Sequence, residues 1–107
     1  MEKIIFSKHM LQDRTDRYVF IATQLGFGEI IFTKPHQTSE GAGTFNITST
    51  GVIMIMGYNN TVITMYIGSA KQIYAAYGGQ QIPRELVHQI RRNEKRNFIL
   101  LQDKKGR

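Results

Sequence analysis

The chain has 107 residues, 41% of them apolar, with six Phe and five Tyr, enough for one domain around a core of modest depth. It has no Cys, which excludes a disulfide framework and any thiolate metal site, and no apolar run approaches the roughly 18 residues of a membrane span. The formal net charge of +6 is concentrated at one end: residues 84–107 hold eight Lys/Arg against three Asp/Glu, whereas residues 1–83 hold six against five. A basic face on a nearly neutral body is the electrostatic footprint of a polyanion partner, most often nucleic acid. The bland alternative is a solvated helix face that keeps a small domain soluble.

The opening Met-Glu-Lys-Ile-Ile-Phe-Ser has too short an apolar stretch for a secretory signal, so a cytoplasmic location is expected and no membrane partner. Ile4–Phe6 reads as an edge strand or as the packed entry to a helix. Ser7 is placed to cap a helix, and Thr15–Asp16 to restart one. Residues 7–26 are therefore one kinked helix or two, with Tyr18, Phe20/Ile21 and Leu25 as an apolar stripe and Gly26 as the stop.

Strand patterns follow. Glu29–Lys34 is rich in Ile, Phe and Thr and is expected to end at Pro35, with a polar glycine-bearing loop over 35–43. Thr44–Thr50 alternates, with Phe45 and Ile47 opposite Thr44, Asn46 and Thr48. Gly51 makes a turn into Val52–Met56, apolar on both faces and so a central strand. Asn59–Asn60 suits the next hairpin, and Thr61–Ile67 alternates again, with Ile63, Met65 and Ile67 opposite Val62, Thr64 and Tyr66.

Residues 69–77 predict a helix capped by Ser69 and stopped by Gly78–Gly79. Pro83 opens a second helix, expected to run to about Lys95 with Leu86, Val87 and Ile90 inside. Asn97–Leu101 reads as a last short strand, and 102–107 as a charged, frayed tail. The expected fold is thus α+β in one domain over 1–101: N-terminal helices, a four-stranded mostly antiparallel sheet, then C-terminal basic helices.

Three features bear on chemistry. On a continuous helix His9, Asp13 and Arg17 lie at i, i+4 and i+8, on one face, with Arg14 nearby. Thr64 and Tyr66 share one side of their strand. Thr44, Asn46 and Thr48 share one side of theirs, and adjacent pairing is expected to merge both sets into one hydroxyl-rich surface. Such a set suits metal-independent RNA cleavage: His serves as acid or base, Arg forks onto the phosphate, and hydroxyls position it. His36 reads as a solvated loop residue. No metal site is predicted, because three dispersed His have no paired carboxylates.

The segment Phe6-Ser7-Lys8-His9-Met10-Leu11…Arg17, with Val62-Ile63-Thr64-Met65-Tyr66 downstream, resembles the small BrnT/RelE-like toxins of the barnase–EndoU–colicin–RelE ribonuclease group. The likeness spans residues 4–67. It departs from that pattern at Asp13, where Arg or Glu is usual, in the 35–43 loop and in the 69–107 extension. The resemblance implies a cofactor-free ribonuclease with His9 as acid or base, Arg17 or its rival Arg14 on the phosphate, and Thr64 and Tyr66 positioning substrate or assisting proton transfer, neutralised by an acidic antitoxin or immunity partner.

The alternative is a non-catalytic binding or inhibitor module of phage or mobile-element type. It would dock Arg84, His88, Arg91, Arg92, Lys95 and Arg96 on nucleic acid or on an acidic protein surface. A third reading is an assembly protein whose sheet pairs with a second copy.

Overall fold

The computed structural model describes residues 5–6, 19–39, 41–57 and 61–105, and within them the side chains of 19–102. The elements in chain order are β1 (Ile5–Phe6), a π-helical turn (Ile21–Leu25), β2 (Ile30–Thr38), β3 (Gly41–Thr48), β4 (Val52–Met56), β5 (Thr61–Ile67), α1 (Ala70–Tyr77) and α2 (Arg84–Lys105). The sheet order is β1-β5-β4-β3-β2. Strands β2 to β5 form the expected antiparallel meander, and Ile5–Phe6 adds a short parallel edge beside Thr61 and Val62. The architecture is α+β. Of the helical stretch expected over 7–26, residues 7–18 lie outside the described residues, as does the Asn59–Asn60 turn, while 19–25 are helical and Gly26 caps them.

Strand β4 organises the core. All five of its residues are buried because both sheet faces are covered. Val52, Met54 and Met56 join Phe20, Ile21, Leu25, Val62 and Met65 in one cluster. Ile53 and Ile55 point the other way, into a second cluster with Ile47, Ile73, Tyr77 and Ile90. Full burial of each large aliphatic side chain contributes about 1.5–3 kcal/mol.

Three expectations need correction. Strand β2 does not end at Pro35 but continues to Thr38, paired with Gly41–Thr48 where a loop was expected. It is an edge strand, where a missing N–H can face outward at little cost. His36 consequently stands on a strand opposite Gly43, its ring 5.8 Å from that of Phe45.

Strand β5 carries a bulge: Ile55 pairs with Thr64 and Met56 with Val62, so Ile63 is an extra residue. The bulge turns Val62 to the side of Met65, away from Thr64 and Tyr66.

Asn97–Leu101 is helical, not a strand, and α2 runs on to Lys105, past the start of the expected tail. Asn97, Leu100 and Leu101 continue the inner stripe of α2 at intervals of three and four, which holds the helix together across this segment. Leu86 and Ile90 pack on the second cluster, and Leu100 and Leu101 on the first. Helix α2 therefore passes across one end of the sheet and closes both halves of the core.

Candidate nucleic-acid interface

Helix α2 begins just after Pro83, whose carbonyl accepts the Val87 N–H at 3.0 Å. Its inner face is then fixed by polar contacts to the β3–β4 turn. Gln89 Nε2 and Asn93 Nδ2 donate to the Ser49 carbonyl at 3.0 and 2.8 Å. Asn97 Nδ2 and Arg96 Nη2 donate to the Thr50 carbonyl at 3.1 and 3.0 Å. The amides at 89, 93 and 97 repeat every four residues and so form one ladder beside the turn. They satisfy carbonyls that the turn leaves without ladder partners.

Gly51 makes this approach possible. Its φ is +90°, and a Cβ there would lie 3.0 Å from Asn97 Nδ2. The same turn holds the rest of the molecule, since Thr50 Oγ1 donates to the Gly26 carbonyl and the Gly51 carbonyl accepts the Gly68 N–H.

The outer face carries charge. At about 100° per residue, Arg84, His88, Arg91, Arg92 and Lys95 fall within an arc of roughly 100°. All five are exposed. Among the described residues no ion pair engages Arg84, Arg91, Arg92 or Lys95.

Among the described residues, the acids of α2, Glu85 and Glu94, form no ion pair with the stripe. Glu94 is turned to α1, where its Oε2 accepts the Ala70 N–H at 2.6 Å. There it reinforces the capping box formed by Ser69 and Gln72 and meets the positive end of the helix dipole. Glu85 stands in the first turn of α2, at the border of the stripe.

Arg96, expected in the binding set, differs from its neighbours. Besides the Thr50 carbonyl, its Nε and Nη2 donate to Asn97 Oδ1 at 3.2 and 3.0 Å. It is tied to the turn and belongs to the anchoring of α2.

The expected hydroxyl-rich surface does not form. Register pairs Asn46 with Met54 and Met54 with Met65, whereas Tyr66 pairs with Ile53 and Thr64 with Ile55. Thr44, Asn46 and Thr48 therefore occupy one face of the sheet, and Thr64 and Tyr66 the other, under the helices. Asn46 and Thr48 are buried and spent internally. Asn46 accepts from Thr33 Oγ1 at 2.8 Å and donates to Thr44 Oγ1 at 2.9 Å, and Thr48 Oγ1 accepts the Val52 N–H at 3.2 Å. Thr64 and Tyr66 are half-buried, and desolvation raises the Tyr66 pKa above 10.0. His9, Arg14 and Arg17 lie outside the described residues.

Sequence reasoning missed two things here. The amide ladder was signalled by the spacing of Gln89, Asn93 and Asn97 in line with Ile90. The second is Phe98, 60% exposed, one turn beyond Lys95 on the basic side of α2. Comparison with known proteins gives no match to a family model, a curated protein or a solved structure.

Proposed function

We propose that this protein binds nucleic acid through the outer face of α2. The observation that carries this reading is the exposed stripe Arg84, His88, Arg91, Arg92 and Lys95, whose Arg and Lys members engage no ion pair among the described residues, on a helix whose opposite face is anchored to the β3–β4 turn. A rigid row of cations lowers the entropic cost of meeting a row of phosphates, and the counterions released supply the affinity. The Arg forks suit phosphate oxygens.

The test is equilibrium binding of labelled oligonucleotide to wild type and to R91E/K95E. Each phosphate contact on a single strand carries a salt slope near 0.7, so losing two lowers affinity by about 25-fold or more near 0.1 M salt. Neither side chain bonds the sheet, so the melting temperature stays unchanged. Equal affinity of the two proteins removes α2 as the binding surface. Arg96 is left intact in this variant, because its loss would loosen the turn as well as remove a charge.

The second reading is the cytoplasmic, metal-independent ribonuclease of BrnT/RelE-like kind, with RNA as substrate and an acidic antitoxin. Its site would unite His9, Arg14 and Arg17, on N-terminal helices, with Thr64 and Tyr66. The Val62–Tyr66 strand motif and the basic helix support it, and the covered position of Thr64 and Tyr66 does not. RNA cleavage in EDTA that disappears in H9A would establish it. Its failure leaves the α2 reading standing.

A further inference from the structure

Beside the basic stripe lies a groove of ≈ 420 Å³ between the end of β5, the start of α1 and the C-terminal half of α2. Its apolar lining comes from Ile67, Phe98 and Leu101, and Arg91 and Lys95 stand along it together with Glu94, whose carboxylate accepts the Ala70 N–H, so that cations outnumber the acid two to one. Arg91, Lys95 and Phe98 are spaced by four and three residues, so they share one side of α2 within about 10.5 Å of helix axis. Phe98 is not a core residue that happens to show an edge: it is 60% exposed while neighbouring Asn97 is 1% exposed. A large aromatic ring beside two cations, with an apolar recess behind it, combines the two elements of a single-strand site. One is a π-face for a base, and the other is charge for the flanking phosphates.

We infer that the groove takes one unpaired nucleotide, its base stacked on Phe98 and its phosphates on Arg91 and Lys95, so that the protein prefers single-stranded to duplex nucleic acid. This rests on the α2 reading and specifies its substrate class. A duplex reaches the stripe with its phosphates, but its bases are already stacked and paired and cannot enter the groove. Charge complementarity selects this occupant over an uncharged peptide or a purely apolar ligand. The apolar recess in turn selects it over a simple anion.

The test measures anisotropy of a labelled oligothymidylate and of a DNA duplex of equal length, at one salt concentration, on wild type, F98A, F98W and R91E/K95E. DNA lacks the 2′-hydroxyl, which keeps the result independent of any RNA cleavage. The expected result is tighter single-strand binding by wild type, lowered in F98A by about 5- to 150-fold, the worth of one base stack, with duplex affinity unchanged.

F98W should retain single-strand affinity. The chain has no Trp, so the single indole of that variant reports the stack directly by quenching on the single strand and not on the duplex. Equal affinity for both DNAs, or equal losses on both in F98A, overturns the inference and leaves the α2 reading intact. Unchanged binding in R91E/K95E overturns both. A dimer in sedimentation that dissociates in F98A would place a second copy in the groove and likewise overturn the assignment.

Discussion

The inner and outer faces of α2 are both rich in polar side chains, yet only the inner set is consumed by the fold. Gln89, Asn93 and Asn97 end on the carbonyls of Ser49 and Thr50, in partly buried hydrogen bonds that tie the helix to the turn. Arg84, Arg91, Arg92 and Lys95 engage no carboxylate among the described residues. The same helix thus carries a structural polarity and a spare one. What separates them is angular position, not residue class: Arg96, cationic like its neighbours, is turned far enough to join the inner set.

That contrast is broken most forcefully at Asn97, which is 1% exposed. Asn97→Ala leaves the Thr50 carbonyl with Arg96 alone and takes the acceptor from the Arg96 guanidinium. The expected loss is about 1–3 kcal/mol of unfolding free energy by urea titration, the cost of stranding buried polar groups. Duplex affinity of the folded N97A protein, which depends on the stripe alone, should match wild type. A large loss of affinity at unchanged stability would reverse the roles assigned to the two faces.

Much of the inner architecture was legible from local signals. The apolar run 52–56 between Gly51 and Gly57 reads directly as a central strand. Ser69 with Gln72 three residues on, and Gly78 beyond, bracket α1 as they do in the structure. What stayed hidden depends on neighbours in space. Pro35 ends a strand only where its N–H would have faced a partner, and the edge position of β2 is a property of the sheet. The alternation of Thr61–Ile67 gives no hint of the bulge at Ile63, which comes from pairing with β4 and moves Val62 to the other face.

Asn97–Leu101 has the composition of a strand and is held in a helix by its two core contacts. The candidate surface was legible as a cluster of charge. Its division into anchoring Arg96 and outward Arg91, Arg92 and Lys95 depends on the position of one turn 46 residues away from Arg96, at Thr50.

A smaller effect sharpens the comparison through pH. Burial raises the pKa of both Tyr66 and Tyr77 above 10.0, on the face of the sheet covered by the helices. Their unfolded counterparts ionise first, so the stability they contribute is complete below about pH 10 and is lost as pH rises through the folded values. Thermal melts of wild type beside Y66F/Y77F should show a shallower alkaline decline in the variant. Superimposable alkaline limbs would mean that these hydroxyls are not desolvated.

The most direct measurement is the dependence of single-strand affinity on salt for wild type and for R91Q/R92Q/K95Q, with melting temperatures taken in parallel. Three lost phosphate contacts should reduce the magnitude of the slope of log K against log salt by about 2, with melting temperature unmoved, because none of the three side chains holds the fold. An unchanged slope would contradict the account and move the binding surface off α2.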